Sequence, residues 1–170
     1  MTARGARWTV DSTTKGIVVT ARDRCVAQLL AWSFWLDEDT RDTIRLVVSE
    51  LVTNAIVHGR SPRRPPTIEI GIFAHQGEVY IEVLDPNDAL PVLRAADGER
   101  ERGRGLVLVD CMSVQWGVER LPHGGKRVWT LMKLPPRPSP RERHRARLRA
   151  QLHATAPLKH IGSRPLAMAT

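Results

Sequence analysis

The sequence predicts an α+β domain in which an antiparallel-rich sheet carries helices on one face. Three observations predict it. Two neighbouring segments alternate with the period of a half-buried strand: Ile68, Ile70 and Ile72 against Thr67, Glu69 and Gly71, then Val79, Ile81 and Val83 against Glu78, Tyr80 and Glu82. Ahead of them lie two stretches whose apolar residues recur at helical spacing. After them, a second hairpin pattern turns around Pro122-His123-Gly124-Gly125.

Taken in order, Ala6 to Val10 reads as a short first strand. Ala21 to Leu36 reads as a helix with Val26, Leu29, Leu30 and Phe34 inward, and Trp32 and Trp35 as core or interface anchors. Asp37-Glu38-Asp39-Thr40 supplies a cap and N-terminal acids for the next helix, which runs to His58 and stops at Gly59 with Ser61-Pro62. Thr67 to Phe73 and Glu78 to Leu84 form a hairpin through Ala74-His75-Gln76-Gly77. Leu106 to Met112 reads as a third helix. Ser113 to Glu119 and Lys126 to Lys133 are the last two strands, giving the order β-α-α-β-β-α-β-β.

The chain has 170 residues, enough for one domain with an adequate core. Its formal charge of +8 is unevenly spread. Residues 135–170 hold eight Lys and Arg and the single acid Glu142, a local +7, which leaves +1 on the first 134 residues. Pro135, Pro136, Pro138 and Pro140 mark the boundary. The expected division is therefore a domain over 1–134 and a Pro/Arg-rich tail over 135–170. The tail reads as a solvated, disordered extension, with a short basic helix over Arg141 to His153 as the alternative. It contains no aromatic residue for base stacking, so direct nucleic-acid binding is not expected. Cys25 and Cys111 lie in apolar patterns and read as reduced core thiols rather than a metal cluster. Met1 to Val10 is polar and basic and no apolar run approaches membrane-spanning length, so the expected location is the cytoplasm.

Chemistry concentrates in two segments. Ser49-Glu50-Leu51-Val52-Thr53-Asn54-Ala55-Ile56-Val57-His58-Gly59 places Glu50, Asn54 and His58 at i, i+4 and i+8, on one stripe of a helix. A carboxylate, an amide and an imidazole so aligned need partners if they are buried, and a ligand or metal is such a partner. The other reading is a solvated polar face. The second segment, Glu101-Arg102-Gly103-Arg104-Gly105-Leu106, is a glycine-containing loop that runs into an apolar helix. Such loops let backbone amides approach a phosphate, and Arg102 and Arg104 add positive charge. Neither dinucleotide-fold spacing nor a Walker-type loop is present.

Together and in this order, these motifs resemble the ATP-binding domains shared by gyrase, Hsp90, histidine kinases and MutL. Within that superfamily the chain looks most like the small stand-alone bacterial anti-sigma-factor serine kinases. The matching elements are Glu50…Asn54…His58-Gly59, Asp85 at the end of Ile81-Glu82-Val83-Leu84-Asp85, Gly103-Arg104-Gly105-Leu106, and Gly124-Gly125-Lys126-Arg127-Val128-Trp129. The resemblance covers about residues 8 to 134. The resemblance implies a two-layer α/β sandwich of the Bergerat type, with ATP and Mg²⁺ as cofactors.

By the same resemblance, Asn54 is the Mg²⁺ ligand, a neutral oxygen donor suited to a hard cation. Glu50 is the catalytic group that orients or deprotonates the nucleophile; the alternative is an exposed acid paired with Arg45 or another base. His58 either caps carbonyls or contacts phosphate. Asp85 accepts from the adenine amino group; the alternative is a turn-forming Asp before Pro86. Gly103, Arg104, Gly105 and Leu106 wrap the phosphates with Arg102 as a charge partner, and the segment from Asp85 to Gly103 is a lid. Two departures stand out. Pro86-Asn87-Asp88-Ala89-Leu90-Pro91 follows Asp85 without the glycines that relatives often have there, and Lys126 replaces the threonine many relatives have after the last glycine. The implied function is an ATP-binding regulatory serine/threonine kinase that phosphorylates a small antagonist protein, the anti-anti-sigma factor, and sequesters a sigma factor, with a homodimer possible. The alternative is a catalytically weak or inactive nucleotide-binding interaction module. A sensor histidine kinase would need a phospho-acceptor helix pair that residues 1 to 36 are too short to supply.

Overall fold

The computed structural model describes residues 2–62, 64–90 and 104–155. Eight of its elements are β1 (Arg4–Asp11), α1 (Ile17–Ala31), α2 (Glu38–His58), β2 (Thr67–His75), β3 (Glu78–Asp85), α3 (Arg104–Met112), β4 (Gln115–Arg120) and β5 (Lys126–Lys133). A ninth, α4 (Pro140–Thr155), follows them. The chain divides into two compact units, Met1–Arg137 and Pro138–Thr170.

In the first unit the five strands form one sheet in the order β1-β2-β3-β5-β4, and every pairing is antiparallel. The alternation seen in the sequence sorts its two faces. Ile68, Ile70, Ile72, Val79, Ile81, Val83, Val128 and Met132 are all buried on the face that meets the helices. Here α2 packs on β3, and α1 and α3 flank α2. Helix α2 buries Ile44, Val47, Val48, Leu51, Val52 and Ala55, a core stripe at i, i+3, i+4, i+7, i+8 and i+11. Full burial of each large side chain stabilises by about 1.5–3 kcal/mol. On the opposite face, Phe73, Tyr80 and Trp129 form a row, with Phe73 tilted against Tyr80 and Tyr80 stacked on Trp129. Glu82 is buried among them, held by Arg7 at 2.6 Å and Arg127 at 3.3 Å.

Asp37 caps α2 as its sequence suggests, its carboxylate accepting from the Thr40 amide at 2.9 Å. Helix α1 differs from the expected Ala21 to Leu36. It begins four residues earlier, after Gly16 in the left-handed conformation, and stops at Ala31. Ser33 adopts a positive φ of 66° and the chain folds back, so that Leu36 enters the core from an extended segment. Cys111 is also a correction. It is exposed, because α3 turns Val109 inward and Cys111, two residues on, lies about half a turn away on the other side. Cys25 is buried as expected, and burial pushes its thiol up to about 12.

In the second unit, Pro140–Thr155 is helical, as in the alternative reading of a short basic helix over Arg141 to His153. The physical reason is a capping box. The Ser139 amide donates to Glu142 Oε2 at 2.7 Å, and the Glu142 amide donates to Ser139 Oγ at 3.3 Å. Arg, Ala, Leu and Gln, all good helix formers, follow.

Candidate functional site

Helix α2 carries the polar stripe along the side that faces α3. Glu50 and Asn54 are half-buried and His58 is exposed at the last turn. Arg45 pairs with Asp23 at 3.1 Å and Asp42 at 3.2 Å, so the alternative partner for Glu50 is engaged elsewhere. The first turn of α3 lies directly against the stripe. A Cβ at Gly105 would collide with Glu50 Oε2 and stand 3.7 Å from Asn54 Nδ2. Only a glycine leaves Glu50 where it is. Asn54 Nδ2 is buried and has no hydrogen-bond partner among the described residues. Such a group costs free energy unless something satisfies it.

Beyond the C-terminal end of α2, β3 delivers Asp85 into the same region. Gly59 makes the approach possible, since a Cβ there would sit 2.6 Å from Asp85 Cβ. Asp85 is buried. Its Oδ1 accepts from Lys126 Nζ at 2.8 Å and from the Asn87 amide at 3.0 Å. Its Oδ2 is buried and unpartnered. Burial pushes the Asp85 carboxyl above the ordinary carboxylate range, opposed first by the Lys126 hydrogen bond, then by the Asn87 amide and the charges of Lys126 and His58. The antiparallel register of β3 and β5 places Asp85 opposite Lys126, and the side chains of this ion pair are 1% and 4% exposed.

Three residues that the motifs did not mark hold this corner together. Asn87 donates from its side chain to the His58 carbonyl at 2.6 Å, capping the end of α2. It therefore takes the carbonyl-capping role that was one alternative for the His58 side chain. Arg64 donates to the Pro86 carbonyl at 3.3 Å and the His123 carbonyl at 3.2 Å. Asp88 accepts from the Gly125 amide. The glycine-free loop after Asp85 is thus an Asx-type turn clamped to the Gly124-Gly125 bend. Gly124 and Gly125 have φ of 85° and 87°, values that only glycine adopts at little cost. Local turn chemistry at Asp85-Pro86-Asn87 was the available signal for Asn87. Arg64 and Asp88 act across long sequence separations and left none.

Glu50, Asn54, Gly105, Asp85 and Lys126 are brought together around the end of α2, with Leu106 in the first turn of α3 half-buried against the core. Residues 91–103 of the expected lid, Arg102 and Gly103 among them, lie outside the described residues, as does the side chain of Arg104; the start of that segment, Asp85 to Asp88, is clamped as described above. Among the described residues no cluster of His, Cys, Asp and Glu could by itself hold a metal ion, and no helix is long and apolar enough to cross a membrane. The arrangement offers a carboxylate and an amide on one helix face, a glycine-lined approach, and a buried acceptor and ammonium at the far end. The family model described as histidine kinase-like ATPase domain matches residues 12–131. No curated protein matches the chain.

Proposed function

Because the chain belongs to the histidine kinase-like ATPase domain family, whose members bind ATP, we propose that this corner is its ATP-Mg²⁺ site and that the protein is a regulatory serine/threonine kinase. Its substrate would be a small antagonist protein and its second partner a sigma factor that it sequesters. The observation that supports the site is the pair of buried polar atoms without partners among the described residues, Asn54 Nδ2 on α2 and Asp85 Oδ2 at the end of β3. The residues present fit the absent groups. Gly59, Gly105 and Gly125 let Asp85, Glu50 and the Asp85 backbone approach more closely than a Cβ would allow, which draws these groups together. Asn54, whose amide can turn its oxygen outward, would hold Mg²⁺. Asp85 would take the base, and Gly105 and its neighbours the phosphates.

When bound, Mg²⁺ would neutralise charge on the triphosphate. Glu50 stands one helical turn from Asn54 and is free of Arg45. It would accept the proton of the protein hydroxyl while that oxygen bonds to the γ-phosphorus and the bond to the β,γ-bridging oxygen breaks. The kinase assignment, the antagonist and the sigma factor rest on the resemblance of the motifs. The second reading, a catalytically weak interaction module, is favoured by the Asp85–Lys126 pair, which already engages one of the two oxygens of Asp85.

The test is calorimetry with ATP and Mg²⁺ on the wild type, Asn54→Ala and Asp85→Asn. Saturable binding weakened in both variants supports the site. No binding at millimolar ATP overturns it. Transfer of labelled γ-phosphate to a Ser- or Thr-containing antagonist, lost in Glu50→Ala with ATP binding retained, separates the kinase from the module.

A further inference from the structure

This inference rests on the ATP-site reading above and concerns how the base is read. We propose that Lys126 is a specificity-determining residue, donating to the ring N1 of adenine beside the amino group that Asp85 accepts. The ion pair then reads one base edge through two adjacent hydrogen bonds of opposite sense.

The inventory of donors and acceptors carries the argument. The Lys126 ammonium has three protons and no acceptor. One goes to Asp85 Oδ1 at 2.8 Å and one to the Asn87 carbonyl at 3.3 Å. One remains. The Asp85 carboxylate accepts twice at Oδ1, from Lys126 and the Asn87 amide, and not at all at Oδ2. A buried pair with one spare donor and one spare acceptor is unsatisfied on both counts, which is costly in a low dielectric. The N6 amine and N1 of adenine present a donor next to an acceptor, so a single ligand edge satisfies both at once. A threonine at this position is a neutral donor and acceptor. A lysine is only a donor, and its charge also favours the ionised Asp85 that burial opposes.

The pair is held in place from several sides. Asp88 fixes the Gly125 amide just before Lys126, and Arg64 ties the Pro86 and His123 carbonyls together across the same corner. The Cβ that Gly125 lacks would strike the Asp85 carbonyl, so the backbone of β5 lies hard against that of β3. Lys126 therefore has little freedom to swing away.

The experiment is a double cycle by calorimetry. ATP and 1-deaza-ATP, in which N1 is replaced by CH, are titrated into wild type and Lys126→Met. The expected result is wild-type binding of 1-deaza-ATP that is weaker than ATP by about tenfold or more, as for loss of one charge-assisted hydrogen bond. In Lys126→Met the two nucleotides bind alike. Should that variant fail to fold, the wild-type comparison stands alone, because the change is in the ligand, and Lys126→Arg supplies a second charged donor. Equal wild-type affinity for ATP and 1-deaza-ATP overturns the role of Lys126 while leaving the ATP site intact. A ratio that persists in Lys126→Met overturns it too, since another group then reads N1. Tighter binding of GTP than ATP overturns the adenine assignment. Absence of any ATP binding removes the underlying reading instead.

Discussion

Lys126→Met would leave Asp85 buried without its cation, and the cost of breaking a buried pair from one side is about 3–5 kcal/mol. The double variant Lys126→Met/Asp85→Asn should recover much of that, because no uncompensated charge remains. The pH dependence has a definite sign. The folded-state pKa of Asp85 lies above its ordinary value, so the folded state binds the proton more readily than the unfolded chain. Stability from this group is greatest below the unfolded value and falls as pH rises through the folded one. The penalty in Lys126→Met should therefore shrink as pH is lowered toward 4, as read by chemical denaturation. A penalty independent of pH would mean that the loss is one of packing. The cysteines give a second residue-scale expectation. An alkylating reagent at neutral pH should add one label to the native protein, at exposed Cys111, and a second only after unfolding frees Cys25. Mass spectrometry reads this directly. Glu50, Asn54 and Asp85 were legible because their spacing and their setting in apolar runs are local properties of the sequence. Asn87 left only the local turn signal of Asp85-Pro86-Asn87, and Arg64 and Asp88 left none, because their partners are carbonyls and amides far away in sequence.

At the scale of the element, α2 carries the site, and its start is set by Asp37. The carboxyl of Asp37 is held below the ordinary carboxylate range by the Thr40 hydrogen bonds. Its stabilisation is present above the unfolded value and lost as pH falls through the folded one. Asp37→Ala should cost about 1 kcal/mol and lower Tm by a few degrees. It should not change nucleotide discrimination, since the cap lies at the opposite end of α2 from Asp85. Gly105→Ala acts differently. Its Cβ meets the flexible end of Glu50 rather than backbone. The protein should keep its stability within about 1 kcal/mol and lose phosphate transfer or ATP affinity through displacement of Glu50. Element boundaries show where sequence reading stops. The period-two strands and the cap of α2 emerged at the expected positions, because each is encoded within a few residues. The end of α1 did not. Ala31 to Leu36 is apolar enough to read as helix, yet Ser33 breaks it, and Leu36 is buried through packing that no local pattern announces.

At the scale of the whole molecule, the chain divides into two compact units, Met1–Arg137 and Pro138–Thr170. The first unit draws its buried hydrophobic residues from Trp8 to Leu134 and closes its sheet within residues 4–133. The second unit begins at Pro138 and carries a capping box of its own. Each unit thus contains the hydrogen bonds that define its elements, which is the condition for a chain to tolerate a cut between them. Deleting residues 138–170 should leave a chain with a stable sheet, a Tm within about 2–4 °C of the full protein, the size of shift expected from roughly 1 kcal/mol, and unchanged ATP affinity. It would remove most of the positive charge, since residues 138–170 carry seven Lys and Arg against one acid. Retention on immobilised polyanion at low salt should therefore fall sharply, and the difference between the two chains should vanish as salt is raised, because exposed charges are screened. A difference that survives at high salt would point to a specific surface on α4. A loss of ATP affinity on truncation would overturn the expectation that the first unit binds the nucleotide by itself.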